Sequence, residues 1–494
     1  MIRLRINGKQ ISAECGKKLS AYLHIDKPCG GKGKCGKCKV LAKGGLSPMS
    51  NAEKQFLSPL DIAKGIRLAC MTEVIADAEI FTLDHGENRI KMDGEKIEYS
   101  FNPISKQYGL VVDIGTTTVV VGLYNANGEM LGKTGMLNPQ IAWGADVISR
   151  IEAVLQGNGA ELQTSIVQAI ENKAILLCEQ SGIDIKKIDG GVFTGNTAML
   201  YLLTKTPVEG LARMPFSLAR KFGETIYAKD LGMSRFSANM KIYLPPCIAP
   251  FIGADTVCAL LATSFWRRKD VFLMVDVGTN GEMVFFNSGK MYACSTAAGP
   301  AFEGAGLSCG MRGEEGAIEH VRVENGNLRL QVIGDKEPKG ICGSGVVDAV
   351  ACLLEREQLD ETGYMEEDVK LADSVILTCK DIRAVQLAKA AIYAGINTLL
   401  KTVGAEKEEI NSFMLAGGFG GYIDLKNAGK IRLFPESLVS CTKILGNAAY
   451  NGAVALLLDK GLQERCRQAI LSTEVMDLSK NSIFMDEYVE GMTF

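Results

Sequence analysis

A chain of 494 residues is too long for one hydrophobic core, and about three to four domains are expected. Its 47% hydrophobic and 22% charged residues are those of an ordinary globular protein, and charge breaks every apolar stretch short of a bilayer span, which argues against a membrane protein. A net charge of −3 with few aromatics among the lysines argues against nucleic-acid binding, and the start, Met1-Ile-Arg-Leu-Arg-Ile, lacks the features of a secretion signal, so the cytoplasm is the expected compartment.

Residues 1–83 carry 14 Lys and Arg against 7 Asp and Glu, a surplus that either steers this module towards an acidic partner or only solvates a small domain. Alternation around Asn7-Gly8 predicts a hairpin with Ile2, Leu4 and Ile6 on one face. A short helical pattern over 17–25 leads into Cys29-Gly-Gly-Lys-Gly-Lys-Cys35-Gly-Lys-Cys38, strand pattern resumes at Lys39, and a second short helix fits Ser50 to Leu57. Cys70 follows in Arg67-Leu-Ala-Cys-Met-Thr. Three cysteines on one glycine-rich loop, with five and two residues between them, plus a fourth about thirty residues on, are the spacing that ligates a 2Fe-2S cluster. The intervening glycines permit positive φ and let backbone N–H groups approach the cluster sulfides. A zinc ribbon, which wants two CxxC pairs, and scattered reduced thiols are the alternatives. The other eleven cysteines stand singly and read as reduced core residues, Cys15 among them as a structural one. Cys309 and Cys342 have no partner spacing for a second metal, and His24, His85 and His320 form no cluster. Hairpin, helix, cluster loop and late fourth cysteine resemble the plant- and vertebrate-type ferredoxin fold, a β-grasp sheet; the five-residue first gap is like that of the vertebrate-type relatives.

Residues 84–107 are polar and without sustained periodicity, and read as a linker that lets the cluster module swing between electron donor and acceptor. From Tyr108 the texture changes. Leu110-Val-Val-Asp-Ile-Gly-Thr-Thr-Thr-Val-Val-Val-Gly is a strand, a Gly-Thr turn and a second strand, and the figure returns as Phe272-Leu-Met-Val-Asp-Val-Gly-Thr-Asn-Gly-Glu-Met-Val. Aligning Asp113 with Asp276 aligns Gly115 with Gly278 and Thr116 with Thr279, an internal repeat of a whole lobe. Each turn offers backbone N–H groups and hydroxyls to phosphate oxygens, with an Asp placed to hold hydrated Mg2+. Gly253-Ala-Asp-Thr-Val-Cys-Ala and Gly446-Asn-Ala-Ala-Tyr-Asn-Gly-Ala are helical patterns with one small-residue face, so two helices can cross closely and shear. Phe413-Met-Leu-Ala-Gly-Gly-Phe-Gly-Gly is a buried strand ending in glycines, where bare backbone at Gly417, Gly418 and Gly420 can approach a purine and ribose.

These five segments stand in the order of the actin, sugar-kinase and heat-shock-chaperone superfamily, which the chain resembles over about 108 to 460. The resemblance implies a duplicated, ribonuclease-H-like two-lobed ATPase: lobe 1 over 108–270, lobe 2 over 271–460, and a tail over 461–494 packed on it. Thr194-Gly-Asn-Thr-Ala-Met, Pro245-Pro-Cys-Ile-Ala-Pro-Phe-Ile-Gly-Ala-Asp, Ala298-Gly-Pro-Ala-Phe-Glu-Gly-Ala, Ile341-Cys-Gly-Ser-Gly-Val-Val-Asp and Phe484-Met-Asp-Glu-Tyr-Val-Glu-Gly-Met are similar to loops of the reductive activators of corrinoid proteins. That family joins a ferredoxin module to this ATPase fold; its better-known members carry a middle domain between the two, and this chain resembles a short form without it.

Within that frame Asp113 and Asp276 are the expected magnesium or water-positioning carboxylates, against strand-end capping. Gly115, Thr116, Thr117, Gly278, Thr279 and Asn280 are the expected phosphate ligands, with Thr118 either a ligand or core-facing. Asn196 is a ligand or a helix cap, Asp255 orients the attacking water or caps its helix, and Glu303 contacts nucleotide or partner. Cys29, Cys35, Cys38 and Cys70 are the cluster ligands. The implied activity is ATP-dependent one-electron reduction of cob(II)alamin to cob(I)alamin in a corrinoid protein or cobalamin-dependent methyltransferase, fed by an external low-potential donor, with a homodimer left open. An ATP-gated reductase of a non-corrinoid acceptor and a redox-regulated small-molecule kinase are the alternatives.

Overall fold

The computed structural model describes residues 2–23, 33, 38–57, 59–82, 89–91, 96–144, 146–304, 306–417 and 423–494. The chain divides into two compact units, Met1–Glu87 and Asn88–Phe494.

In the first unit, β1 (Ile2–Ile6) and β2 (Lys9–Ala13) form a hairpin turned by Asn7 and Gly8 at φ 48° and 84°, the positive values a two-residue turn of this hand requires. With β3 (Lys39–Leu46), β4 (Ile66–Leu68) and β5 (Val74–Thr82) they make one sheet of order β2-β1-β5-β3-β4. β1 and β5 run parallel and the other neighbours antiparallel, the layout of a β-grasp. Leu4, Val40, Leu68, Val74 and Ile80 close its core, and Cys38 and Cys70 are buried in the same cluster. Within the described part of 17–25 the helical pattern yields only a 3-10 turn, Leu19–Ala21. The second short helix, Asn51–Lys54, starts where the Ser50 side chain accepts the Glu53 N–H.

The second unit opens with the hairpin β6 (Arg89–Lys91) and β7 (Lys96–Glu98). The second half of the expected linker is not a free tether. Ile97 is buried in the core of this unit, Tyr99 and Ile104 pack against it, and the Asn102 and Ile104 N–H groups donate to the carbonyls of Leu458 and Leu457. Apolar residues spaced among polar ones pin this stretch, which a composition argument overlooks.

Two six-stranded sheets follow. The first holds β8 (Tyr108–Ile114), β9 (Thr118–Asn125), β10 (Met130–Leu137), β11 (Ile188–Gly195), β12 (Glu224–Tyr227) and β13 (Lys241–Leu244), in the order β10-β9-β8-β11-β13-β12. In the second lobe β14 (Phe272–Val277), β15 (Gly281–Asn287) and β16 (Lys290–Thr296) come first. An excursion then carries a small sheet of β17 (Ala317–Glu324), β18 (Asn327–Val332) and β19 (Gly340–Ile341), and a hairpin of β20 (Val369–Ala372) and β21 (Val375–Leu377). β22 (Ser412–Ala416), β23 (Thr442–Gly446) and β24 (Thr473–Val475) return to the main sheet, whose order is β23-β22-β14-β15-β16-β24. In each sheet an antiparallel meander of three strands is continued by two parallel ones, so the sequence repeat is a repeat of topology over five strands; the sixth differs, β12 joining antiparallel at the β13 edge and β24 parallel at the β16 edge.

Alternation along these strands divides the apolar residues among three cores. Leu110, Val112 and Ile114 face outward in the first lobe, and Leu273, Val275 and Val277 outward in the second. Val111, Val192, Met274, Val284, Phe286 and Met414 face a shared core between the sheets. Two helices fill that core, Ala254–Ala262 and Ala448–Leu458. They cross with their backbones touching: a Cβ on Gly452 would lie 1.9 Å from the Cys258 carbonyl oxygen. The small-residue faces legible in sequence are therefore the crossing.

The last helix, Ser482–Glu490, packs on the long helix Cys379–Val403, where Asn397 and Lys401 both donate to Glu487. Of the single cysteines, Cys178, Cys247, Cys258, Cys294, Cys342, Cys352 and Cys466 are buried, whereas Cys15 and Cys379 are exposed and Cys309 and Cys441 half-buried. Cys15 is therefore no core residue; its thiol reaches the Ile75 carbonyl at 3.7 Å. Among the described residues no helix is long and apolar enough to cross a membrane.

Candidate functional site

The repeat places its two aspartates at matching positions. Asp113 pairs in register with Val120 on β9 and Thr194 on β11, and Asp276 with Glu282 on β15 and Ala416 on β22. Residues directly opposite on neighbouring strands share a face, and strand alternation puts this set on the faces that meet between the lobes. Asp255, in the first turn of the helix Ala254–Ala262, joins them and accepts the Thr256 N–H at 2.8 Å.

These carboxylates are close enough to oppose one another's ionisation. Burial raises Asp113 to about 6, against an Asn447 amide donated at 3.1 Å and the positive charge of Lys133, which lower it. Burial raises Asp255 to about 7, with the charge of Asp113 adding to it. Asp276 also rises to about 7, by burial first and then by Asp255, Asp113 and Glu303. Glu282 is pushed well above the carboxylate range by burial, Asp255 and Asp276. Like charges gathered so densely in partly buried positions are kept only where a cation or a proton compensates them.

The first turn is held by its carbonyls. Asn138 Nδ2 donates to the Gly115 oxygen at 2.8 Å, Arg150 Nη2 to that of Thr116 at 2.7 Å, and both the Asn138 N–H, at 2.9 Å, and Arg312 Nη2, at 3.2 Å, to that of Thr117. In a trans peptide C=O and N–H point opposite ways, so anchoring these oxygens aims the following N–H groups at the other side of the turn. Asn138 and Arg150 are fully buried, and burial lowers Arg150 to about 10. Asn196 is a helix cap that also reaches the first turn. Its side-chain oxygen caps the helix Thr197–Thr204 through the Met199 N–H, and its Nδ2 donates to Thr116 Oγ1 at 2.9 Å, leaving that hydroxyl's proton free to donate onward. Thr117 is half-buried and Thr118 exposed, so Thr118 does not face the core.

In the second turn Gly278 N–H donates to the Asn280 carbonyl, and Thr279 Oγ1 donates to Glu303 Oε1 at 2.9 Å. Thr279 must turn from Glu303 before it can donate to a phosphate. Gly417 takes φ 118°, and a Cβ there would lie 2.2 Å from the Val277 carbonyl oxygen, so only glycine fits the end of β22. Gly418 and Gly420 lie outside the described residues.

Of the expected cluster ligands, Cys38 and Cys70 bring their sulfurs to 3.2 Å, while Cys29 and Cys35 lie outside the described residues. The segment before Cys70 is braced by Glu53, which is fully buried. Glu53 accepts from Arg67 Nε at 3.0 Å, Arg67 Nη2 at 3.0 Å and the Leu68 N–H at 2.7 Å. Two converging buried sulfurs have the donor chemistry of a thiolate pair on one iron. Among the described residues no group of three or more His, Cys, Asp or Glu side chains could hold a metal ion.

Sequence reasoning missed Asn138, Arg150, Arg312, Asn447, Glu282 and Glu53. Five of them act on partners elsewhere in the chain and leave no local pattern; Glu282 aligns with Val119 in the sequence repeat, and only the strand register, across a turn one residue shorter, sets it in the place of Val120.

Comparison with known proteins now adds the family. Residues 108–268 match the RACo middle region, and residues 270–494 match the C-terminal domain of RACo, the ASKHA domain. The chain is 37% identical over 421 residues to the corrinoid activation enzyme RamQ of Eubacterium limosum, covering 78% of this chain and 70% of that one. The chain belongs to the family of reductive activators of corrinoid proteins. It is also 25% identical to the [Co(II) methylated amine-specific corrinoid protein] reductase of Methanosarcina barkeri, over 72% of this chain and 70% of the relative. The solved reductive activator for corrinoid, iron-sulfur protein superposes with a TM-score of 0.76 at 26% identity, over 100% of this chain and 98% of that one. The second unit therefore carries the family's actin-like ATPase fold. The expected loss of a middle domain needs restating: the middle-region model matches the residues that fold as the first lobe, and the described residues between the first unit's sheet and β8 hold only the β6–β7 hairpin and the pinned irregular stretch after it.

Proposed function

We propose that this activator reduces the cob(II)alamin of a corrinoid methyl-transfer protein to cob(I)alamin, one electron at a time, and that ATP bound between its lobes drives the step. The observation that carries the reading is that a chain of this family joins two aspartate-bearing turns, facing each other across a duplicated cleft, to a β-grasp unit in which Cys38 and Cys70 converge.

The first 83 residues act as a ferredoxin-type domain, the lobes over 108–270 and 271–460 as the ATPase, and 461–494 as its tail. Cys29, Cys35, Cys38 and Cys70 would hold a 2Fe-2S cluster, which supplies one-electron chemistry when bound. Glu53, through Arg67 and the Leu68 N–H, fixes the backbone that presents Cys70. Gly115, Thr116, Thr117 and Thr118 from one lobe and Gly278, Thr279 and Asn280 from the other close on the phosphates. Thr116 donates its proton to a phosphate oxygen while Asn196 holds the hydroxyl in place. Asp113 and Asp276 would hold the water shell of Mg2+ when it is bound, and Asp255, raised to about 7, would orient the attacking water. Gly417, Gly418 and Gly420 leave room for adenosine. Positioning and charge accomplish the phosphoryl step, without a covalent intermediate.

The energetic need for ATP follows from the potential gap. Each 59 mV of deficit in a one-electron step costs about 1.4 kcal/mol, so a gap of roughly 300 mV costs about 7 kcal/mol. Lobe closure and reopening, transmitted through the crossing at Gly452, couple hydrolysis to binding and release of the corrinoid partner. The protein works in the cytoplasm with an external low-potential donor, as a monomer or a homodimer.

The test is anaerobic iron and sulfide reconstitution of the full chain, followed by the electron paramagnetic resonance spectrum of the reduced protein and its ATPase rate. A 2Fe-2S signal lost in Cys70→Ser, together with hydrolysis lost in Asp276→Asn, supports the reading. A four-iron signal, or a cluster unchanged in Cys70→Ser, defeats the ligand assignment.

A further inference from the structure

The two turns belong to different lobes, yet residues of one connection touch both. That connection joins β16 to β17 in the second lobe. Near its start the Gly299 N–H donates to the Thr279 carbonyl at 2.8 Å, and Glu303 accepts from the Thr279 hydroxyl at 2.9 Å. Near its end Arg312 Nη2 crosses to the first lobe and donates to the Thr117 carbonyl at 3.2 Å. Between these contacts the backbone is pinched together. A Cβ on Gly304 would lie 2.0 Å from the Met311 carbonyl oxygen, and one on Gly310 2.3 Å from the Gly304 oxygen. The Met311 N–H is tied in turn to the carbonyl of Ile341, on β19, at 2.9 Å. Arg312 is therefore carried on main chain fixed to the second lobe, and its bond to Thr117 exists only while the lobes stand as they do here. The Thr117 oxygen is held twice, by the Asn138 N–H of its own lobe and by Arg312 of the other. A second observation concerns charge. A guanidinium carries five N–H donors and a full positive charge, and among the described residues Arg312 pairs with no Asp or Glu. Its positive charge, set against a neutral carbonyl of the first turn, is left to an anion.

We infer that Arg312 is a positioning residue for the nucleotide, supplied by the second lobe to complete the anchoring of the first turn. Holding the Thr117 oxygen aims the N–H that follows it to the opposite side, and the guanidinium adds positive charge to the turn. The first turn therefore grips phosphate fully only when the lobes are together. Coupling of this kind is reciprocal, so phosphate on the first turn favours the Arg312 contact and the lobe arrangement that permits it. Because the same connection holds Thr279, it also sets one turn against the other. This rests on the nucleotide site proposed above and adds the residue that links phosphate to lobe position.

The test uses the full chain, Mg2+ and a non-hydrolysable ATP analogue, with calorimetric titration for affinity and hydrogen–deuterium exchange for the two segments. Arg312→Met keeps an aliphatic stem and removes the charge. Analogue affinity is expected to fall about tenfold, a charge-assisted hydrogen bond being lost, and amides of residues 115–119 to exchange faster than in wild type before nucleotide is added. In wild type the analogue slows exchange over 115–119 and over 311–316 together; in Arg312→Met it slows the first segment alone. Arg312→Lys, charged but without the planar fork, is expected to lose only about threefold in affinity. Affinity of Arg312→Met within twofold of wild type overturns the inference. So does a loss of affinity with exchange over 115–119 unchanged, because the residue then acts elsewhere. Should Arg312→Met not fold, Arg312→Lys decides by the same comparison, and wild-type exchange over both segments overturns the inference. If wild type binds no analogue, the nucleotide reading fails and this inference with it.

Discussion

Replacing Gly452 by Ala tests whether the lobes are hinged on a backbone-to-backbone helix crossing. The added Cβ would sit 1.9 Å from the Cys258 carbonyl oxygen and 2.5 Å from its carbon, so the helices Ala254–Ala262 and Ala448–Leu458 must separate by about 1 Å or more. The obstacle is main chain, which no rotamer change relieves, so the cost falls at the upper end of overpacking penalties, about 3 kcal/mol. Better helix propensity of Ala recovers up to about 1 kcal/mol, leaving a net loss of about 2 kcal/mol. A unit of roughly 400 residues at about 2.1 cal/mol/K per residue unfolds with an entropy near 0.85 kcal/mol/K, so the melting temperature drops by about 2–3 °C. Differential scanning calorimetry measures this. Gly135, exposed on β10 with only the Val119 carbonyl 3.9 Å from its Cβ position, is the control, and Gly135→Ala is expected within about 0.5 °C of wild type. The crossing also carries Asp255 at the start of one helix and Asn447 at the start of the other, so ATP hydrolysis should fall in Gly452→Ala and not in Gly135→Ala. An unchanged or higher melting temperature in Gly452→Ala would refute the crossing.

Other consequences follow from single contacts. Glu53→Gln removes the charge that pairs with Arg67 inside the first unit, and breaking a buried pair costs about 3–5 kcal/mol, so iron content after reconstitution and the visible absorbance of the protein should both drop. Asp348 hydrogen-bonds His320 at 2.7 Å and raises its affinity for a proton above the ordinary value of about 6.5. That contribution to stability is complete below about pH 6.5 and disappears as pH climbs through the higher folded value; His320→Gln should remove this step from a plot of melting temperature against pH. Asp113, at about 6, and Asp255 and Asp276, at about 7, have linkage of the same sign over a lower window: as acids raised in the folded state, they cost stability as pH rises from about 4 to about 7. The stabilisation conferred by Mg2+ should accordingly be larger at pH 8 than at pH 6, and fluorescence-monitored melting checks it.

The duplicated lobe was the most legible feature, because an Asp-x-Gly-Thr turn between two strands needs the same residues in each copy and the copies survive in the chain. The helix crossing was legible for a similar reason, since only small side chains let two backbones touch, and Gly452 against Cys258 is where that requirement acts. The frame around the first turn was not. Asn138, Arg150 and Arg312 bond to carbonyls, and a carbonyl looks the same on every residue, so the sequence carries no sign of which ones they hold. Asn447 was hidden inside a stretch read for its small residues, although it caps its helix and reaches Asp113 across 334 positions. The polar stretch 84–107 misled for the reverse reason: three apolar side chains, Ile97, Tyr99 and Ile104, outweigh its average composition.

The most direct test of the central claim is spectroscopic. Reduced, reconstituted protein is mixed anaerobically with a corrinoid protein in the cob(II)alamin state, with and without Mg-ATP, and cob(I)alamin absorbance is followed. Absorbance that grows with ATP in wild type, and is absent in both Cys70→Ser and Asp276→Asn, is the predicted result. Reduction at the same rate without ATP, or none with any corrinoid partner encoded nearby, would contradict it.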